Sequence, residues 1–319
     1  MEKVSIQGLV KVIKKAGSGF MKDKVPKLSA SLAYYTIFSL GPMLIVIIFL
    51  TTIFLGKQAT EGTIFAQTRQ LVGDSAAMQI QEIIKNAAIS GTSKVAAVIG
   101  FVTLFIGATT VFSEIQDSIN SIWRLRAKTD AGWKKMVLNR LWSFSLVIGI
   151  GFLLLVSLFV NTIVEAMMGK LQEFFPAGSV VLVYVINLAV TLLVISVLFA
   201  IIFKILPDAV IRWKDVMVGA LFTAVLFMMG KFGITLYINK TDVGSTYGAA
   251  GSLAILLVWV YYSSMILYFG AEFTKAYVVQ FGNEIRPNEY AVVVKTVQVE
   301  SRDKSIQQNE EETERENKS

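Results

Sequence analysis

The sequence predicts an all-α polytopic membrane protein: a bundle of six transmembrane helices with an N-terminal amphipathic interfacial helix. Three observations carry that expectation. Of 319 residues, 54% are hydrophobic and only 17% are charged, whereas a soluble domain has about a quarter charged residues. Long stretches hold no Asp, Glu, Lys or Arg at all. Those stretches are continuously apolar instead of alternating, as helices are and the strands of a membrane barrel are not.

The elements follow in chain order. Residues 5–21 set Ile6, Leu9, Val10, Ile13, Gly17 and Phe20 on one helical face, with Lys3, Lys11, Lys14 and Lys15 elsewhere. Such a helix either lies on the inner leaflet or packs against the bundle, and the segment 1–28 is expected to be cytoplasmic. The transmembrane unit is expected over 29–280. Its charge-free runs are Leu32–Leu55, Val95–Ser113, Leu141–Val164, Phe174–Phe203 and Val243–Ala271, and Val216–Asn239 is interrupted only by Lys231. A helix needs about 20 apolar residues to cross the hydrocarbon. Between the first two runs, residues 57–94 are expected to form an extracytoplasmic helical cap. There Ile80, Ile83, Ile84 and Ala87 share a face behind Asp74, an N-cap residue type. Residues 281–319 form a cytoplasmic tail. From about residue 300 it holds seven acidic and four basic residues, a composition that predicts disorder. Ala291–Val299 alternates somewhat like a strand but has no evident partner, so no element is assigned there.

Lys and Arg set the orientation. The N-terminal segment, the second-to-third and fourth-to-fifth connections and the stretch after the last run together carry 19, leaving out the tail past residue 300. The opposite side carries 6, namely Lys57, Arg69, Lys85, Lys94, Lys170 and Lys240. Positive residues stay inside, so both termini are predicted cytoplasmic. The first 30 residues have no unbroken apolar core, and no cleaved signal peptide is expected. The net charge of +7 is read as topology and attraction to anionic headgroups, not as affinity for nucleic acid.

The chain has no Cys and no His. That excludes disulfides, Cys/His zinc sites, a Cys nucleophile and a His general base. No phosphate-loop motif occurs, so the chain is not an ATPase by itself. No cofactor or metal is expected.

Polar residues enter the apolar runs at a few places, and intramembrane ionisable groups are costly and usually functional or paired. The second run ends in Glu114, Asp117, Asn120 and Arg124, spaced three or four apart on one face, with Ile115, Ile119 and Ile122 as a separate apolar stripe. The sixth ends at Glu272, with Lys275 three residues on. The first opens with Ser31, Tyr34, Tyr35 and Ser39 ahead of Gly41 and Pro42, where a kink is expected. These residues are candidates for a polar vestibule at the cytoplasmic mouth. The bland reading is a solvated helix end with a Glu–Arg network and a Pro-kinked packing helix. On the outer side, Lys231 is either a counter-charge for an anion or a snorkelling side chain. The small-residue loop with Gly248, Gly251 and Ser252 is a candidate anion site at a helix N-terminus, against close helix packing as the bland reading.

Five ordered motifs then carry a resemblance. They are Ser29-Ala30-Ser31-Leu32-Ala33-Tyr34-Tyr35-Thr36 through Pro42, Ser121-Ile122-Trp123-Arg124, Trp213-Lys214-Asp215 with Gly219-Ala220, Tyr247-Gly248 through Gly251-Ser252, and Val258-Trp259-Val260-Tyr261-Tyr262 to Gly270-Ala271-Glu272. In these, over about residues 10–280, the chain resembles the YihY/BrkB family of bacterial inner-membrane proteins. The resemblance implies a six-helix, multi-pass protein of the plasma membrane, with an association to envelope integrity and lipid-linked transport. The family's old label, ribonuclease BN, finds no general base, metal site or RNA groove in this sequence.

Three functions compete. The first is a transporter or flippase of an amphiphilic, anionic or lipid-linked envelope component, with membrane lipids as its surroundings. The second is a non-transporting scaffold for envelope integrity. The third is an intramembrane enzyme, for which spacing names no nucleophile–base pair. A continuous polar cavity separates the first from the second. The topology is testable directly: reporter fusions within 57–94 should read outside and fusions after Arg286 inside. A cytoplasmic signal from 57–94 would overturn the orientation.

Overall fold

A computed structural model describes residues 5–39, 78, 107, 110–128, 179–241, 251–282 and 284–294. The third expected span, nearly all of 57–94, Pro42, Gly248 and the tail from residue 295 lie outside the described residues. Helix α1 is Ile6–Lys22, α2 covers 25–39 and α3 covers 110–122. Then come β1 (Leu125–Ala127), α4 (Ser179–Ile205), β2 (Ala209–Val210), α5 (Trp213–Thr241), α6 (Gly251–Phe281), β3 (Arg286–Pro287) and β4 (Ala291–Val293). Among the described residues, three helices have stretches long and apolar enough to cross a membrane: Leu188–Ile205, Trp213–Tyr237 and Leu253–Phe281.

Local signals explain the boundaries. Ser5 caps α1, its hydroxyl accepting from the Gly8 N–H at 3.1 Å. The helix stops at Asp23, and Lys24 turns the chain with a φ of 54°, unusual for a residue with a Cβ. Pro26 then sits in the first turn of α2, where its missing N–H costs nothing. Arg124, just past α3, has a φ of 59°.

Helix α6 runs ten residues past the charge-free run that ends at Ala271. Glu272 and Lys275 do not stop it because both side chains find partners in neighbouring elements. Helix α1 buries a face other than the one the large apolar residues mark. Gly8, Val12 and Ala16 are buried, with Val12 and Ala16 clustered against Phe273, Ala276 and Phe281 of α6. Ile6, Val10 and Ile13 stay exposed, and Gly17 has open space around it. The helix therefore has an inner apolar seam and a second, outward one.

Ile115, Ile119 and Ile122 are buried in the main core, as their stripe implied, with Val25, Phe203, Val216, Ala220 and Tyr268. Two short antiparallel ribbons close one end of the bundle. Leu125 pairs with Val293 and Ala127 with Ala291, so the strand-like Ala291–Val293 finds its partner 166 residues earlier by register. Ala209 pairs with Pro287 and Val210 with Arg286. These pairings bring the C-terminal ends of α3, α4 and α6 and the start of α5 to the same end.

Helices α5 and α6 meet through a reciprocal pair of glycines and threonines. A Cβ on Gly219 would strike Thr274, its Cβ only 2.8 Å away, and a Cβ on Gly270 would lie 2.7 Å from Thr223 Cγ2. Each Thr hydroxyl donates back to the carbonyl four residues earlier at 2.7 Å, so no polar group is stranded by the close approach. We expect Gly219→Ala and Gly270→Ala each to destabilise the detergent-solubilised protein by about 1–3 kcal/mol through overpacking. Pairing Gly270→Ala with Thr223→Ala should recover much of that loss, and Gly17→Ala should cost nothing. Equal melting shifts for Gly17→Ala and Gly270→Ala would contradict the seam.

Candidate functional site

The turn between α1 and α2, the end of α3 and helix α6 meet in one buried charge network. Asp23 is the only acid between Glu2 and Glu61, and its side chain is 4% exposed. It pairs with Arg124 and lies 3.5 Å from Lys275. Lys275 lies 3.8 Å from Glu272, whose side chain is 3% exposed, and donates to the Ile122 carbonyl at 2.5 Å. That last bond satisfies one of the carbonyls that a helix end leaves without a partner, and the positive charge suits the helix C-terminus. Trp123 donates through its indole N–H to the Ala271 carbonyl at 3.1 Å. Gly19 of α1 sits directly on the Glu272 carboxylate, with no room for a side chain there. Two partly exposed cations balance the two buried carboxylates and offset part of their desolvation.

A second cluster lies beside it. The Asp208 carboxylate accepts from Asn120 at 3.0 Å and from Asn288 at 3.1 Å. Its backbone N–H donates to Asn120 Oδ1 at 2.8 Å. Glu114 and Asp208 are the like-charged neighbours of Asp117. The sequence reading looked for Glu114, Asp117 and Glu272 together, or around Arg124. Glu272 shares Arg124 with Asp23, whereas Glu114 and Asp117 face Tyr268, one turn before Glu272 on α6.

The remaining candidates are placed as follows. Ser31 is half-buried. Tyr34 and Tyr35 are exposed and form an aromatic patch with Phe38, with Tyr34 ring centroids 5.6 Å from Tyr35 and 4.7 Å from Phe38. Ser39 is half-buried and donates to the Thr36 carbonyl at 2.8 Å. Lys231 is half-buried, ~27 Å along α5 from Trp213. Gly251 is buried at the start of α6, where Ser252 follows in the helix. Lys231 and Gly251 both lie away from the charge network. Asp23 and Asp208 were missed as site residues; their one sequence signal is isolation, each a lone acid in a basic or uncharged stretch.

Along α6 the polar groups form a line. Ser264, Tyr268 and Glu272 are 3%, 0% and 2% exposed; they follow one another at four-residue steps, and Lys275 comes three residues after Glu272. The line spans ~16 Å. The Tyr268 hydroxyl lies beside Ser118 and the Glu272 carboxylate beside Asp23, while among the described residues the buried Ser29 hydroxyl of α2 has no hydrogen-bond partner. Such orphans are few in folded proteins and point to water, a ligand or a functional role. At the Lys275 end the line meets a cavity of about 1010 Å³, with Trp123, Val210, Arg212, Val279 and Arg286 in its wall. No group of three or more metal-ligating side chains gathers among the described residues.

Comparison with known proteins agrees with this architecture of apolar helices. The chain is 28% identical over 255 residues to the UPF0761 membrane protein of Ralstonia nicotianae, covering 78% of this chain and 55% of that one. It spans just over half the length of that relative. Over 269 residues it is 28% identical to the UPF0761 membrane protein of Tolumonas auensis, covering 79% of this chain and 80% of the other. The Pseudoalteromonas atlantica protein of the same name is 24% identical over 273 residues, at 84% and 86% coverage. No solved structure matches. Residues 16–292 match the family described as virulence factor BrkB, and the chain is a membrane protein belonging to that family.

Proposed function

We propose that this protein is a transporter or flippase for an anionic amphiphile of the cell envelope, and that it does not hydrolyse ATP by itself. One observation carries the reading. The polar line Ser264–Tyr268–Glu272–Lys275 runs inside an otherwise apolar helix and ends at a cavity. Glu272 lies at the inner end of its apolar run and is nonetheless buried, where a carboxylate needs a partner, a proton or water. Packing alone is better served by apolar residues, so retained charge argues for a path or a gate. In this reading the network around Asp23 is the inner gate, and α1 rests on the inner leaflet with its outward seam of Ile6, Val10 and Ile13. The six spans and cytoplasmic termini inferred from Lys and Arg put the cavity on the cytoplasmic side of a bacterial inner membrane.

A non-transporting envelope scaffold is the second reading, and the interlocked Gly219–Thr274 and Gly270–Thr223 contacts favour it, since they resist relative movement of α5 and α6.

Proteoliposomes separate the two. With a fluorescent anionic phospholipid as probe, the native protein should speed exchange between leaflets over protein-free vesicles. Glu272→Gln should reduce that rate at least about tenfold while inserting and eluting as the native protein does. The transport reading is lost if the native protein moves the probe no faster than empty vesicles.

A further inference from the structure

We infer that Asp23 and Glu272 form a proton-binding site, in which one proton is held between the two carboxyl groups and fastens the α1–α2 turn to α6. Their side chains are 4% and 3% exposed, and they lie within hydrogen-bonding reach of each other. Two carboxylates are both acceptors, so a hydrogen bond between them needs a proton on one. The cations nearby do not remove that need. Arg124 closes on Asp23. Lys275 gives its hydrogen bond to the Ile122 carbonyl at 2.5 Å and stands 3.8 Å from Glu272 Oε2, beyond hydrogen-bond length. No N–H or O–H donor among the described residues reaches Glu272 Oε1. A buried carboxylate without a donor carries a desolvation cost that a proton removes. The formal charges of the network balance, but its two cations serve Asp23 and the end of α3. Glu272 is the member that a proton neutralises.

The surroundings fit a site that gains and loses a proton. The charged groups facing Glu272 are Asp23 from the α1–α2 turn, Arg124 from the end of α3 and Lys275 from α6 itself. Helix α1 presents Gly19, where any side chain would strike the carboxylate, and Phe20, whose ring meets Phe269 edge-on at 5.9 Å. Helix α5 meets α6 through the uncharged glycine–threonine seam. The Arg124 and Lys275 side chains are 37% and 26% exposed, so water reaches the buried acids past the cations. When Glu272 gives its proton to water, two negative charges are left side by side beneath Gly19 and repel. The space between them cannot widen without moving α1. The turn and α1 are therefore held to α6 while the proton is bound and loosen as the pH rises, and lowering the pH restores the contact. In the transport reading this proton is the coupling ion at the inner gate. That role rests on the transport reading; the proton site is tested apart from it.

The experiment uses the full chain purified in an uncharged maltoside detergent. Infrared difference spectra between the native protein and Glu272→Gln, in water and in heavy water at neutral pH, read the carboxylic acid directly. The native protein should show a carboxylic acid band that shifts in heavy water, as lipid esters do not, and that Glu272→Gln lacks. Asp23→Asn should lose the same band although Glu272 is intact, because the new amide donates to the carboxylate in the proton's place. Backbone amide exchange over Ile6–Lys22, corrected for the intrinsic effect of pH, reads the hold on α1. Between about pH 6 and about pH 9 it should speed at least about fivefold in the native protein and less than about twofold in Glu272→Gln. A native spectrum with no band that Glu272→Gln removes overturns the site. So does a band that Asp23→Asn leaves unchanged, and if Glu272→Gln misfolds, that variant decides in its place. Equal acceleration of α1 in the native protein and Glu272→Gln overturns the fastening. In proteoliposomes, a pH step across the membrane should change the initial exchange rate of the anionic probe at least about fivefold. A shared proton in a protein that moves no probe sinks transport and supports the site. Exchange indifferent to the pH step overturns the proton as coupling ion.

Discussion

The pairing of Asp23 with Arg124, extended through Lys275 to Glu272, is the interaction on which the rest of the described structure depends. It joins three parts of the chain that local signals alone would leave apart: the α1–α2 turn, the end of α3 and the middle of α6. Its member Arg124 and its neighbour Lys24 both have positive φ. Each such conformation costs a Cβ-bearing residue roughly 1–2 kcal/mol, a cost sustained where surrounding contacts hold the backbone. The Asp23–Arg124 ion pair is one such contact at both turns.

A segment of six residues in α6 shows how tightly the arrangement is drawn. Gly270 receives Thr223 of α5, and Thr274 sits on Gly219 of the same helix. The Ala271 carbonyl accepts from Trp123. Glu272 lies under Gly19 of α1, and Lys275 caps α3. Three neighbours are fastened to about one and a half turns of one helix. The seam with α5 is uncharged and close-packed, whereas the contacts with α1 and the end of α3 combine apolar packing with the ion-pair network.

What the sequence made legible follows from the range of each interaction. The stripe of Ile115, Ile119 and Ile122 is a local periodicity and is buried as expected. The last three apolar runs correspond to α4, α5 and α6, since length and hydropathy decide a span. Glu272 was singled out because a carboxylate after an uncharged run is visible in one dimension. Its partner Asp23 was not, because nothing local ties residue 23 to residue 272. The same holds for β1 and β4, whose pairing is set by where two helices end. On α1 the seam that meets α6 was not legible: Val12, Ala16 and glycines face it because bulky Phe273 and Phe281 need small partners, and a pattern read from large apolar residues picks out the other, outward face.

The central claim is that Asp23 and Arg124 act as one unit that fastens the helices. A double-mutant cycle in thermal unfolding of the purified protein tests it most directly, using Asp23→Asn, Arg124→Gln and the two combined. If the account holds, each single change lowers stability by roughly 1–3 kcal/mol and the double variant loses little more than the worse single one, because either change already breaks the pair. Losses that simply add would show that the two residues stabilise the protein independently, and would contradict it.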